Sequence, residues 1–193
     1  MTQDRTTRIL KTDVVFEGWY RFLRMDVELP DGARVERELL ANGSAVAVLP
    51  YDRERRVVML IRQPRPGAIY TGEPSPLEAI AGSLDGMEPA LRIVEEAMEE
   101  GGLKLGTLEP VSNIWSMVPA ATERVQLYLS EYAVSDRVGE GGGAAGEFEN
   151  IKVFEIGLDK LRAMVAAGDL TDSKTLILAQ ALLLRHPELW DCP

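Results

Sequence analysis

Alternating and short apolar segments predict strands in the first third of the chain. Residues 20–29 and 33–40 have the pattern of two strands, and Pro30-Asp31-Gly32 between them is typical of a hairpin turn. Ser44–Leu49 and Val57–Ile61 are nearly continuous apolar runs, which favour buried strands of a central sheet. This part of the chain is therefore predicted to be mainly β-structure.

A helical period follows, from about Pro89 to Glu100. Pro89 suits the first turn of a helix, and Gly101-Gly102 is a typical end. The predicted apolar face comprises Ile93, Val94, Ala97 and Met98, with Arg92, Glu96, Glu99 and Glu100 on the other side. Further strands are predicted at 77–81, 108–117, 124–133 and 151–156, and further helices at 158–167 and from Asp172 to about His186. Residues 64–76 are predicted to be a surface connection, and residues 139–146 a mobile glycine-rich loop. This order indicates an α+β sandwich with an N-terminal β-appendage.

Composition narrows the function classes. The 193 residues are 46% hydrophobic, enough for the core of one domain, and the net charge of −10 without a basic stripe argues against nucleic-acid and anionic-membrane partners. No apolar run reaches the length of a membrane span, and the N-terminus lacks the apolar region of a signal peptide. The single cysteine, Cys192, cannot form an internal disulfide, so a cytoplasmic protein is expected.

The scarcity of histidine limits the possible chemistry. The only one, His186, lies at the end of the last predicted helix, where capping is the better interpretation. Ser-His triads, Cys-His pairs and histidine-based zinc sites are therefore disfavoured. Catalysis, if present, must depend on carboxylates, a metal ion and water.

Four glutamates crowd the carboxyl end of the predicted helix: Glu95, Glu96, Glu99 and Glu100. Negative charge is disfavoured there by about 0.3–1 kcal/mol per charge, and like charges four residues apart repel by a few tenths of a kcal/mol. A solvated acidic face is the simplest interpretation. The alternative is that these carboxylates hold divalent cations, since oxygen ligands suit Mg²⁺ or Mn²⁺.

Residues 81–103, AGSLDGMEPALRIVEEAMEEGGL, resemble the signature box of the Nudix hydrolases, GX5EX7REUXEEXGU with U aliphatic. The right half matches from Glu96 to Leu103. The left half departs from the pattern, because Glu95 stands where the box has arginine and Met87 where it has the upstream glutamate. Alternatively the loop is one residue short, so that Glu88 is the upstream glutamate and pairs with Arg92 one turn later.

Further segments resemble the ADP-ribose and GDP-mannose pyrophosphatases of that family. Arg62–Arg65 is similar to their RQxR, Leu77–Gly82 to their LEAxAG, and 168–175 to the GEIxDxKT of the GDP-mannose enzymes. Residues 135–156 resemble their glycine-rich loop with an acidic E-x-E and a strand. The Trp115–Thr122 loop lacks their Ser-Pro-Gly-Gly, so a reshaped substrate pocket is expected.

This resemblance implies an α/β/α sandwich with a mixed central sheet over 43–193 and a β-appendage over 1–42 that serves dimerisation and possible base binding. It implies two or three Mg²⁺ or Mn²⁺ ions and a homodimer acting on a nucleoside diphosphate sugar. The implied metal ligands are Glu96, Glu99, Glu100, Glu149 and the Ala81 carbonyl. The implied catalytic residues are Glu147, as the base that activates water, and Glu99.

Each residue expected to contact the substrate also has a structural alternative. Arg65 is a candidate phosphate clamp or a structural salt bridge, and Glu78 faces the site or forms a salt bridge at a strand end. Trp19 and Tyr20 stack on the base or pack within the appendage. Thr175 at the start of the last helix is more typical of a structural position than of a functional one.

Three functions compete on this sequence. The leading hypothesis is Mg²⁺-dependent hydrolysis of the pyrophosphate bond of an ADP- or GDP-linked sugar, giving a nucleoside monophosphate and a sugar phosphate. The altered box keeps open a catalytically impaired nucleotide-binding or regulatory protein. An acidic protein–protein interaction domain is the third alternative.

Overall fold

The computed structural model describes residues 6–143, 146 and 149–190. The described residues form two compact units. One comprises the residues up to Ser44 together with Trp115–Arg124, and the other comprises Ala45–Ile114 together with the residues from Val125 onward. The roles assigned above to 1–42 and 43–193 stay predictions.

The first unit contains a three-stranded antiparallel sheet in the order β1-β2-β3. The strands are β1 (Arg8–Glu17), β2 (Arg21–Glu28) and β3 (Arg34–Ala41). The predicted hairpin between β2 and β3 is confirmed, and Gly32 in its turn has a positive φ of 89° that favours glycine. Strand β1 was not predicted, because all its residues are exposed and no inward–outward alternation marks it.

The second unit contains a six-stranded sheet in the order β7-β8-β4-β5-β9, with β6 paired to β4. These strands are β4 (Ala45–Asp52), β5 (Val57–Arg62), β6 (Ile80–Ser83), β7 (Leu108–Trp115), β8 (Arg124–Glu131) and β9 (Lys152–Gly157). Strand β4 runs parallel to β8 and antiparallel to β5 and β6. The predicted mixed central sheet is therefore confirmed.

Four helices accompany the described strands: α1 (Pro66–Thr71), α2 (Pro89–Gly101), α3 (Leu158–Ala167) and α4 (Ser173–Arg185). The surface connection predicted over 64–76 contains a short helix, α1, that its loop-like pattern did not indicate, and none of the residues of α1 is buried. This short helix begins with Pro66 in its first turn and ends at Gly72, which is left-handed with a φ of 74°. Prolines and glycines that signalled a loop here mark the two ends of a helix. None of the described helices is long and apolar enough to cross a membrane.

The sheet of the second unit has a hydrophobic cluster on each face. Successive residues of β5 alternate between them: Met59 and Ile61 pack with Ile93 and Ala97 of α2, and Val58 and Leu60 pack with residues of α3 and α4. This alternation is the period-two pattern of a strand with both faces covered. The result is the expected α/β/α sandwich, with α2 on one side of the sheet and α3 and α4 on the other.

Candidate active site

Helix α2 has well-formed caps at both ends. The Glu88 carboxylate accepts a hydrogen bond of 2.7 Å from the Ala90 amide, and Pro89 occupies the first turn. At the other end Gly102 is left-handed with a φ of 62°, and a Cβ there would lie 2.3 Å from the Gly139 carbonyl oxygen. Glycine is therefore required where the sequence has Gly102. The pairing of Glu88 with Arg92 suggested above is not what the structure contains, because Glu88 caps the helix.

The buried face of α2 differs from the predicted apolar face. Val94 and Met98 are exposed at 40% and 38%, whereas Glu96 and Glu100 are buried with Ile93 and Ala97. Glu96 fits because its carboxylate lies over Gly82, where a Cβ would come within 1.6 Å of Oε1. The absence of a side chain at Gly82 thus leaves room for an acidic side chain between helix and sheet.

Glu100 is a buried carboxyl group with two hydrogen-bond donors. The Ala81 amide donates to one oxygen at 3.1 Å and the Gln63 side chain donates to the other at 3.4 Å. Burial raises the pKa of Glu100 to about 8, and the nearby charges of Glu96 and Glu149 act in the same direction. Glu96, Glu100 and Glu149 therefore share one region of negative potential.

The segment Gly139–Gly143 approaches the last turn of α2. The amides of Gly142 and Gly143 donate to the carbonyls of Glu100 and Glu99 at 2.9 and 3.0 Å. These bonds occupy helix carbonyls that have no partner within the helix. A Cβ on Gly143 would lie 2.6 Å from a carboxylate oxygen of Glu149, so the glycine also admits that acid. Glu147 lies outside the described residues, and its predicted role as base stays a prediction.

Arg92 lies among the glutamates of α2. Its guanidinium contacts Glu96 at 2.5 Å, Glu95 at 3.2 Å and Glu99 at 3.8 Å, and its Nε donates to the Ser83 carbonyl at 3.2 Å. Only 20% of the side chain is exposed. One arginine thus links the last residue of β6, just before the loop, to three acids on the helix.

A second ionic network lies at the start of β6 and α4. Arg65 donates two hydrogen bonds of 2.8 and 2.9 Å to Glu78, and Lys174 contacts the same carboxylate at 2.7 Å. Burial alone would raise the pKa of Glu78, but the Arg65 hydrogen bond and the Lys174 charge outweigh it and hold the pKa below its ordinary value. Of the alternatives left open for Arg65 and Glu78, the salt bridge is the one present.

Thr175 has a structural position in this network. Its hydroxyl bonds to Asp172, the N-cap of α4, and accepts a hydrogen bond of 2.6 Å from the Ala79 amide. The residue is fully buried. It therefore joins the first turn of α4 to the strand end that carries Glu78.

The acids of α2 are the candidate ligands for the divalent cation that the sequence implies. Among the described residues, no three acid, histidine or cysteine side chains are placed closely enough to hold a metal ion as they stand. The donor set nevertheless fits a hard cation: two buried carboxylates four residues apart, with a third acid raising the pKa of Glu100. Arg92 supplies the positive charge in this arrangement.

Three further residues from the sequence analysis, Trp19, Tyr20 and His186, belong to other elements of the fold. Trp19 and Tyr20 belong to the first unit and are exposed at 89% and 48%. His186 ends α4 and contacts Glu109 at 2.8 Å, in agreement with its predicted capping position. Trp115 and Val118 of the 115–122 loop are likewise exposed, in the first unit.

Comparison with known proteins places the chain in a family. No protein-family model matches it. The GDP-mannose pyrophosphatase of Cronobacter sakazakii is 36% identical over 183 residues, which cover 92% of this chain and 95% of that protein. The enzyme of the same name from Escherichia coli O1:K1 is 30% identical over 192 residues, covering 96% and 98% of the two chains. The chain belongs to the GDP-mannose pyrophosphatase family of Nudix hydrolases. A crystal structure of an ADP compounds hydrolase matches 94% of this chain and 96% of its own with a TM-score of 0.72 at 18% identity, which supports the Nudix fold.

Sequence analysis of this Nudix chain missed two polar contacts. Gln63 is the second residue of the RQxR segment and had no predicted role, yet its side chain donates to Glu100. The alternation of Met59 and Ile61 toward α2 was a usable signal, since it places Gln63 on the same face. Lys174 belongs to the 168–175 segment, but its pairing with Glu78 links residues 96 positions apart and leaves no local pattern.

Proposed function

We propose that this chain hydrolyses the pyrophosphate bond of a nucleoside diphosphate sugar, with GDP-mannose as the first candidate. Relatives that are 30% and 36% identical over most of the chain carry that substrate in their names. The observation that carries the proposal is the buried pair Glu96 and Glu100, one helical turn apart beside Gly82. In a cytoplasmic protein of net charge −10, an anionic substrate requires cations as intermediaries.

The proposed cofactor is Mg²⁺ or Mn²⁺, in two or three ions. Glu96, Glu99, Glu100, Glu149 and the Ala81 carbonyl are the proposed ligands, and carboxylate and carbonyl oxygens are the donors that such ions prefer. When bound, these ions supply Lewis-acid polarisation of the phosphoryl oxygens and a lowered pKa of water. The protein contributes the buried carboxylates of Glu96 and Glu100 on the last turns of α2.

The proposed reaction transfers one phosphoryl group to water. The water oxygen forms a bond to one phosphorus while the bond from that phosphorus to the bridging oxygen breaks, and the bridging oxygen leaves on the other phosphate. The products are a nucleoside monophosphate and a sugar phosphate. Glu147 is proposed to accept the proton of the water, and Glu99, whose side chain is 40% exposed, is proposed as the second catalytic residue.

Arg65 is proposed to bind a phosphate oxygen through the guanidinium nitrogen that Glu78 does not use. Glu78 accepts from Nε and Nη2, and no hydrogen bond from Nη1 is present among the described residues. The Arg65 side chain is 38% exposed, so this nitrogen is within reach of a ligand. Glu78 would then orient the Arg65 guanidinium rather than contact the substrate.

The exposed rings of Trp19 and Tyr20 are proposed to stack on the base of the substrate.

The decisive experiment measures nucleoside monophosphate release from GDP-mannose, ADP-ribose, diadenosine polyphosphates and NADH with Mg²⁺. We expect turnover of a nucleoside diphosphate sugar and its loss in the double variant E99Q/E100Q. The matched control is E95Q, which neutralises an exposed acid on the same helix. Undiminished turnover by E99Q/E100Q, with E95Q equally active, would contradict the site.

A second candidate function is a nucleotide-binding protein with little turnover. Two observations favour it: Glu95 replaces the box arginine, and Arg92 contacts the acids proposed as ligands. If nucleoside diphosphate sugars raise the Tm of the protein but no hydrolysis product is formed, this alternative would be supported.

We also propose a homodimer formed through the first unit. Strand β1 exposes Ile9, Val14 and Phe16 at 62%, 53% and 63%, and Trp19 follows at 89%. Clustered exposed apolar side chains mark interaction surfaces, and a second copy of the same chain is the commonest partner of such a surface.

A further inference from the structure

Arg92 contacts the end of β6, where the loop before α2 begins, and helix α2 itself through different atoms. Nε donates to the carbonyl of Ser83, the residue after Gly82, and Nη2 pairs with Glu96, whose carboxylate lies over Gly82. Loop, arginine and helix therefore form a closed ring of contacts. The remaining terminal nitrogen faces Glu95 and Glu99.

The sequence of the box explains why this side chain is placed here. The signature has arginine where this chain has Glu95, which is half exposed and pairs with Arg92 itself. The upstream acid Glu88 is occupied as the N-cap of α2. Arg92, rather than a residue at position 95, is accordingly an ion-pair partner of Glu96.

We propose that Arg92 is the positioning residue of this site: it fixes the Glu96 carboxylate for a divalent cation and ties the Ser83 carbonyl to α2. This inference rests on the proposed function only in requiring that the acids of α2 bind a divalent cation. A guanidinium suits the task, because its rigid fork bonds a carbonyl and a carboxylate at once, which an ammonium group does not reproduce. The relocated arginine would supply the loop-to-helix link that Glu95 cannot.

The test measures Mn²⁺ binding directly, by the loss of the free-ion electron paramagnetic resonance signal on titration. We expect R92A to weaken Mn²⁺ binding by about 10-fold to 100-fold, the range for residues that orient metal ligands. R92K should fall between R92A and the parent protein. The control E95Q keeps the Ser83 and Glu96 contacts of Arg92 and should bind Mn²⁺ as the parent does.

Equal or tighter Mn²⁺ binding by R92A overturns the proposal, because Arg92 would then be a competitor of the cation rather than its support. Thermal unfolding in chelator verifies that each variant is folded. If R92A does not fold, R92K against E95Q carries the same test. A parent protein that binds Mn²⁺ but hydrolyses no nucleoside diphosphate sugar would sink the proposed function and leave this inference standing.

Discussion

At the scale of single residues, the site combines acids whose environments differ sharply. Glu100 is nearly fully buried and its pKa is raised to about 8, whereas Glu78 is equally buried but paired with two cations, and its pKa is lowered. The difference arises from neighbours, since Glu100 faces Glu96 and Glu149 while Glu78 faces Arg65 and Lys174. With this pKa the carboxyl group of Glu100 is mostly protonated at neutral pH, and a bound cation would favour its ionised form.

The pKa of Glu100 predicts a pH-dependent stability in chelator. The folded-state pKa of about 8 lies above the ordinary value of 4.5, so the folded protein binds more protons between these values and its stability falls as pH rises through this window. Each unit of pKa difference corresponds to about 1.4 kcal/mol. Thermal unfolding should show a lower Tm at pH 8.5 than at pH 6, and E100Q should flatten that dependence. An unchanged slope in E100Q would assign the effect to another group.

Gly82 gives a second prediction at this scale. A Cβ there would lie 1.6 Å from the Glu96 carboxylate, so G82A should displace that acid and reduce Mg²⁺-dependent turnover by roughly 100-fold, as misplaced active-site groups do. G43A is the matched control, because a Cβ at Gly43 meets nothing within 4 Å. Steady-state kinetics would compare the two, and equal activity would count against the crowding argument.

At the scale of elements, the two ends of α2 and the start of α4 hold the chemistry in place. Asp172 caps α4 by accepting bonds of 2.9 and 2.5 Å from the Thr175 amide and hydroxyl, and it also contacts Lys174. The Thr175 hydroxyl in turn accepts a hydrogen bond from the Ala79 amide. The position of the Glu78 network therefore depends on the first turn of a helix distant in sequence.

This dependence predicts that D172A is destabilising. Loss of an N-cap acid costs about 0.5–2 kcal/mol in the free energy of unfolding, and the loss of the Lys174 contact adds to it. Urea unfolding would measure the change. D169A removes an exposed acid three residues earlier and should alter the unfolding free energy by less than about 0.5 kcal/mol; a D172A value no larger than that of D169A would refute the capping role.

At the scale of the whole molecule, the proposed dimer is testable through the exposed strand β1. Phe16→Lys places a charge on a side chain that is 63% exposed in the single chain, so folding should be retained while association weakens. Tyr70→Lys is the control, since Tyr70 is 92% exposed but belongs to the other unit. Light scattering after size-exclusion chromatography should give a dimer for the parent and Y70K and a monomer for F16K. A parent that is monomeric at micromolar concentration would end this proposal.

The sequence predicted those parts of the fold in which burial or capping leaves a clear pattern in the residue types. Strands β4 and β5 are apolar because both faces are covered, and α2 has recognisable caps at Pro89 and Gly102. Strand β1 was missed because its register shifts near Ile9 and Val14 and full exposure leave no alternation. The direction of Glu96 was misassigned because the space above Gly82 arises only when β6 and α2 are packed together.

The bonds between Gly142 and Gly143 and the final carbonyls of α2 couple two halves of the acidic site mechanically. A shift of the last helical turn would displace Gly142 and Gly143, and Gly143 lies against the Glu149 carboxylate, so the acids on the helix and Glu149 are linked through this contact. Chimeras with related hydrolases should therefore exchange α2 and the 139–149 segment together.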